Sequence, residues 1–237
     1  MDLLDPTRAV TPALDGPVLA VLARTGKPLT VGEIARQATR GSEIGIRRAV
    51  TRLVDQGLVI STQMGRNQVH ELNRDHVAAP AAVVLADLRL ELWRRLRELV
   101  GAWSEPAMYA CVFGSAARGD GDEASDIDIL LVHRPHPEDL DGRGASVPPV
   151  RLAETLTGVM AARTPEQAAQ WHAQVDDLHV RVQRWTGNVA QVLDLAFHRW
   201  RDLEQDEPTL YAAIERDGIK IADASFPTRR MPADAHA

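Results

Sequence analysis

The run Ala110-Cys111-Val112-Phe113-Gly114-Ser115-Ala116-Ala117-Arg118-Gly119, followed by Ser125-Asp126-Ile127-Asp128-Ile129-Leu130-Leu131-Val132, decides how the chain is read. An apolar stretch ends in Gly-Ser, a short polar loop follows, and two aspartates spaced two apart open a second apolar stretch. Side chains along a strand alternate between faces, so Asp126 and Asp128 share one face while Ile127, Ile129 and Leu131 take the other, toward a core. Two neighbouring carboxylates repel each other unless a cation lies between them. Mg²⁺ takes oxygen ligands and is held by one or two carboxylates plus substrate phosphates. Two such ions about 4 Å apart activate an attacking oxygen and stabilise a leaving one. Val112-Phe113 reads as the end of a strand and Ser115–Arg118 as the first turn of a helix. Gly114 lets the backbone approach a ligand closely. Free amides at the helix start attract anions. The Ser115 hydroxyl and the Arg118 guanidinium add hydrogen bonds to a phosphate.

The segment resembles the signature of the DNA polymerase β-type nucleotidyltransferase superfamily, a Gly-Ser followed by a spacer and Asp-x-Asp. Phe113–Gly119 together with Ser125–Asp128 is most similar to the small bacterial nucleotidyltransferase domains. The resemblance implies a mixed sheet flanked by helices. It also implies Mg²⁺- or Mn²⁺-dependent transfer of a nucleoside monophosphate from a nucleoside triphosphate such as ATP, with pyrophosphate leaving. Asp126 and Asp128 are then catalytic metal ligands, and Gly114, Ser115 and Arg118 bind the nucleotide. The superfamily uses a third carboxylate, on a later strand, as base for the acceptor hydroxyl. Asp194, in the strand-like run Asn188–Leu195, is the candidate for this catalytic and metal-binding role. It shares a face with Ala190 and Val192, with Gln191 opposite. The other reading is that Asp194 caps the helix that follows, Leu195–Leu203.

The front end has a different pattern. Gly16–Arg24 reads as a helix with Pro17 near its first position. Thr30 and Glu33 have the spacing of a capping box and open a second helix, Ile34–Ala38. Ser42–Gln56 is a third, with Ile46, Val50, Leu53 and Val54 on one face. Leu58–Ile60 and Gln68–Leu72 read as strands joined by the turn Met64–Asn67. Three short helices and a hairpin in this order resemble the winged helix-turn-helix of bacterial transcription regulators. That resemblance implies that the third helix enters the major groove while the hairpin wing touches the backbone. Ser42, Arg47, Arg48 and Arg52 on the third helix, with Arg66 and Asn67 at the wing tip, are the candidate contacts to double-stranded DNA. Winged helices also serve as docking or dimerisation modules, and operator binding would call for a homodimer on two half-sites.

Composition bounds these readings. With 237 residues and 45% hydrophobic content the chain is of globular type, with one large or two small domains. The net charge of −6 argues against general coating of nucleic acid. The charge is uneven: residues 1–75 hold 10 Lys/Arg and 8 Asp/Glu, so the front end is slightly basic and the remainder acidic. The single cysteine, Cys111, falls in an apolar run, which excludes a disulfide framework and fits a reducing compartment. The apolar stretches are too short to span a membrane and the N-terminus lacks the regions of a signal peptide, so the expected location is cytoplasmic.

The expected organisation is α+β: a winged helix-turn-helix domain over 1–75, a nucleotidyltransferase domain over 76–225 led by one long helix at 81–100, and a disordered tail at 226–237. The leading helix carries a stripe of Val84 or Leu85, Leu88, Leu92, Leu96 and Leu99. His133–Pro149 is expected to be a Pro/Gly-rich surface loop, its two histidines, His133 and His136, lacking the partners of a metal site. Helices are expected over 150–163, from Pro165 to about Trp185 with Thr164 as cap, and over Pro208–Arg216, with a closing strand near Ile219–Ile221. The leading functional expectation is nucleotidyl transfer to an unidentified acceptor hydroxyl, coupled to DNA binding. One alternative is a transcription regulator whose transferase-like domain senses nucleotide without turnover. Another is an antitoxin-like protein that modifies a toxin-like partner.

Overall fold

The computed structural model describes residues 1–140 and 162–223. The expected loop over 141–149, all but the last two residues of the helix expected over 150–163, and the expected tail lie outside the described residues. Ala162 and Arg163 are not helical. The chain divides into two compact units, Met1–Leu92 and Trp93–Ala237.

In the first unit, α1 (Asp15–Arg24), α2 (Val31–Gln37) and α3 (Glu43–Asp55) precede a hairpin of β1 (Val59–Met64) and β2 (Asn67–Leu72). The capping box forms as its spacing predicts: Thr30 Oγ1 accepts from Glu33 N, and the Glu33 carboxylate accepts from Thr30 N at 2.8 Å. Ser42 caps α3 by accepting from Gly45 N. Met64 pairs with Asn67, leaving Gly65 and Arg66 as a two-residue turn. Gly65 takes φ +60°, which such turns require at their first position. Leu29 exchanges two backbone hydrogen bonds with His70, so the segment before α2 adds a bridge to β2. Val18, Leu22, Ile34, Ile46, Val50, Leu53 and Val59 form the core of this unit.

The single helix expected over 81–100 is two: α4 (Ala79–Ala86) and α5 (Leu88–Gly101). The break falls at Asp87, whose φ −102°, ψ 11° leave the helical region. The two pieces bury different faces. Alanines 79, 82 and 86 are buried on α4, which packs on α1, while α5 buries Leu92, Trp93, Leu96 and Val100. One stripe cannot serve both, and Val84 of the expected stripe is 64% exposed. Because α4 packs within the first unit, the division between units falls after Leu92, later than the expected position 75.

The second unit is built on a mixed four-stranded sheet ordered β5-β4-β3-β6, from β3 (Tyr109–Phe113), β4 (Ile127–His133), β5 (Ala190–Ala196) and β6 (Ile219–Asp223). The β3 strand pairs antiparallel with both β4 and β6, whereas β4 and β5 are parallel. The short α6 (Gly114–Arg118) follows β3, and α7 (Pro137–Leu140) follows β4. The long α8 (Pro165–Thr186) begins with a capping box of Thr164 and Gln167. Two further helices, α9 (Phe197–Asp206) and α10 (Pro208–Asp217), lie between β5 and β6 in sequence. One sheet face carries Tyr109, Cys111, Phe113, Leu130, Val132, Leu193 and Leu195, covered by Trp200, Leu203 and Ile214 of α9 and α10. The other carries Ile127, Ile129 and Leu131, all fully buried. On that side lies α8, whose Trp171, Leu178 and Val182 are also fully buried. No described helix is long and apolar enough to cross a membrane.

Candidate functional site

Gly114 joins β3 to α6 with φ +68°, a region that side chains with a Cβ rarely enter. The residue before it, Phe113, is the register partner of Asp128, and the Asp128 carboxylate lies against Gly114. A Cβ at position 114 would overlap Asp128 Oδ2 and lie 3.2 Å from its Cγ. The glycine therefore makes room for the carboxylate.

Beyond α6 the chain turns back through Gly119, and the amides of Gly119 and Asp120 both bond to Ser115 O, at 2.9 and 3.1 Å. Gly121 then passes so close that a Cβ there would sit 3.1 Å from Ser115 Oγ and 3.3 Å from Ser125 Cβ. Asp122 and Ser125 lock the loop: Ser125 Oγ donates to Asp122 Oδ1 at 2.8 Å and accepts from Asp122 N at 3.0 Å. That bond from Ser125, with the Ala124 amide, holds the Asp122 carboxyl below the usual carboxylate range.

Asn188, which the sequence shows only as the first residue of the strand-like run, completes the arrangement. It is buried, and its Nδ2 donates to Ser125 O at 2.9 Å, with longer contacts to Asp122 O at 3.3 Å and Glu123 O at 3.4 Å. It pins the loop that delivers Asp126 to the start of β5.

Asp126 is exposed and immediately precedes β4, and Asp128 is half-buried within it. Burial raises the Asp128 carboxyl above its ordinary value, the neighbouring Asp126 charge raises it further, and Arg118 opposes both. Arg118 itself is engaged: it bonds Asp120 through Nε at 3.0 Å and Asp217 through Nη1 at 2.9 Å. It thus lends positive potential to the site while tying α6 to α10.

Asp194 does not join the pair. The parallel register places Asp128 beside Gln191 and Leu131 beside Asp194. Paired residues in a ladder share a face and successive ones alternate, so Asp194 lies on the sheet face opposite Asp128. There its Oδ2 accepts from Trp171 Nε1 of α8 at 2.9 Å, and its Oδ1 is 3.5 Å from His133 Nε2. The residue expected as third ligand therefore stands with Trp171 and His133 on the other face of the sheet. The cap reading of Asp194 fails too, because α9 begins after Ala196 and no side chain caps it. His133 and His136, expected on a surface loop, are both buried and stack at 4.2 Å between ring centroids. Arg163, whose side chain is wholly buried, stacks over Trp171 at 4.2 Å and bonds Glu105 at 3.3 Å.

The two carboxylates suit a hard divalent cation: like charges adjoin, and a glycine keeps one of them clear of backbone. Among the described residues no group of three His, Cys, Asp or Glu side chains is arranged to hold a metal. The remaining ligands of a cation held here would be phosphate and water oxygens.

In the first unit, Arg48, Arg66 and Asn67 are exposed. The Ser42 hydroxyl is used as the α3 cap, Arg47 pairs with Glu43 at 3.0 Å, and Arg52 pairs with Asp15 of α1.

Residues 91–208 match the family model described as a nucleotidyltransferase domain. The match supports the nucleotidyltransferase superfamily for this part of the chain. It spans α5 through the start of α10 and includes Gly114, Ser115, Asp126 and Asp128. A search of curated proteins gives no match for the chain. A nucleotidyltransferase domain suggests nucleotidyl transfer in general terms.

Proposed function

We propose that the nucleotidyltransferase domain binds a nucleoside triphosphate with Mg²⁺ or Mn²⁺ across Gly114, Ser115, Asp126 and Asp128, and transfers its nucleoside monophosphate to an acceptor hydroxyl. The observation that carries this reading is the cradle in which Gly114, at φ +68°, gives way to the Asp128 carboxylate. Asp126 and Asp128 would hold the cation, which when bound neutralises triphosphate charge and polarises the reacting phosphorus. Ser115, under the loop locked by Asp122, Ser125 and Asn188, orients a phosphate oxygen. Arg118, tied to Asp120 and Asp217, adds positive potential without leaving its ion pairs.

The placement of Asp194 favours a second reading, in which nucleotide is bound and turned over slowly or not at all. No carboxylate from β5 reaches the Asp128 face, so a proton on the acceptor hydroxyl has no protein base from that strand. The first unit, read as a winged helix that binds double-stranded DNA through α3 and the Gly65–Arg66 turn, would then report nucleotide occupancy. The support for DNA binding is the exposure of Arg48, Arg66 and Asn67.

Titration of Mn²⁺ with each of the four nucleoside triphosphates, followed by assay for label transfer into a lysate, tests the reading. Asp128→Asn and Asp126→Asn are expected to weaken metal-dependent nucleotide binding at least tenfold and to remove any transfer. Binding that survives both substitutions refutes the site. Retention of duplex DNA that is unchanged by Arg48→Ala with Arg66→Ala refutes the DNA contact.

A further inference from the structure

Gln191 stands where β5 meets the carboxylate pair. Its Cα is the register partner of Asp128, its side chain falls on the same sheet face, and it is exposed. On the other side of Asp128 the register partner is Phe113, which offers no oxygen. Of the two residues paired with Asp128 in the ladder, Gln191 alone bears a side chain able to add an oxygen to the site.

We propose that Gln191 is the third member of the site, a neutral oxygen donor beside Asp126 and Asp128 that cannot act as a base. The inference rests on the nucleotide-binding reading for its biological meaning. An amide oxygen is a hard donor, suited to Mg²⁺ or Mn²⁺ or to a water bound to one. It brings no charge, so the three side chains carry two negative charges. It also takes up no proton near neutral pH, so Gln191 offers no base to an acceptor hydroxyl bound here. The geometry thus assigns this chain a site that holds a metal–triphosphate and transfers sluggishly for a reason fixed by one residue.

The sheet gives this a test that does not depend on turnover. Gln191→Glu preserves length and adds a charge directly across the ladder from Asp128, and like charges so placed are destabilising. With EDTA, the Gln191→Glu protein should melt below wild type. Adding Mn²⁺ should more than restore the difference, and its affinity for Mn²⁺ should rise at least tenfold. In an Asp128→Asn background the melting penalty of Gln191→Glu should vanish. Asp194→Asn, altering the opposite face, should leave Mn²⁺ affinity within twofold. A Gln191→Glu protein that melts like wild type in EDTA and binds Mn²⁺ within twofold of it overturns the proposal. If Mn²⁺ binds more tightly as expected yet no nucleoside triphosphate binds either protein, Gln191 keeps its place at the metal and the nucleotide reading fails instead. Label transfer that appears or rises at least tenfold in Gln191→Glu supports the base-deficient site. Brisk transfer by wild type, unchanged in Gln191→Glu, overturns that part.

Discussion

Gly114→Ala should separate the two demands made on this position. The first is conformational: at φ +68° a residue with a Cβ costs about 1–2 kcal/mol relative to glycine. The second is steric. The new Cβ overlaps Asp128 Oδ2 and sits 3.2 Å from Cγ, so the carboxylate must turn, at about 0.5–1.5 kcal/mol for a side chain driven off its rotamer. Together these predict about 2–3 kcal/mol of destabilisation, or roughly 5–10 °C in melting temperature for a domain of this size. The cost should not be additive. In an Asp128→Ala background the steric part disappears, so Gly114→Ala should cost only about 1–2 kcal/mol, leaving a coupling near 1 kcal/mol in the double-mutant cycle. Urea denaturation of the four proteins, followed by Mn²⁺ titration of those that are folded, measures both parts. Gly101→Ala is the control, because a Cβ at position 101 meets nothing within 4 Å. If Gly114→Ala and Asp128→Ala combine additively, or if Gly114→Ala binds Mn²⁺ as wild type does, the cradle has been misread.

Two further perturbations act at a distance from the metal. Asn188→Asp turns a donor into an acceptor facing the carbonyls of Asp122, Glu123 and Ser125, and should cost about 1–3 kcal/mol while loosening metal affinity at Asp126; a variant with wild-type melting and affinity would remove Asn188 from its positioning role. Burial holds His133 and His136 down at about 4, against an ordinary 6.5. Histidines held neutral in the fold bind fewer protons than in the unfolded chain, so their contribution to stability is full above about pH 6.5 and is lost as pH falls toward 4. Each should remove about 2–3 kcal/mol by pH 4.5, an upper figure because the stacked rings titrate together. Asp128 and Asp194, raised by burial, act with the opposite sign and lose stability as pH rises through their folded values. Denaturation at pH 7.5 and 4.5 of wild type and a His133→Gln/His136→Gln protein isolates the histidine slope, and equal slopes would refute it.

The features that were legible in the sequence are the local ones. The Thr30–Glu33 box, the Ser42 cap, the glycine turn at residue 65 and the Gly114 bend each depend on residues a few positions apart, and each forms where its spacing places it. Asp126 and Asp128 are near enough for the charge of one to act on the other because they stand two residues apart at the start of one strand, again a local relation. Asp194 was misplaced because its face relative to Asp128 depends on the register between two strands more than sixty residues apart in sequence, and a shift of one residue exchanges the faces. The break at Asp87 was hidden because helix-favouring residues continue across it, Leu85 and Ala86 before and Leu88, Arg89 and Leu90 after, and only the packing of α4 on α1 requires a change of face. His133 and His136 looked like surface residues because nothing near them in sequence announces Trp171, Arg163 or Glu105.

The amide of Asn188 has a kinetic consequence as well as a geometric one. Because it belongs to the residue that leads into β5 and bonds the backbone of the loop leading into β4, neither segment can open alone without breaking the same hydrogen bonds. Local unfolding proceeds in cooperative pieces. The amides of the 122–127 loop and of the first residues of β5 should accordingly exchange with solvent at a common rate. A ligand that slows exchange in the loop would quiet the edge of the sheet with it, carrying occupancy of the site into the strand that bears Gln191.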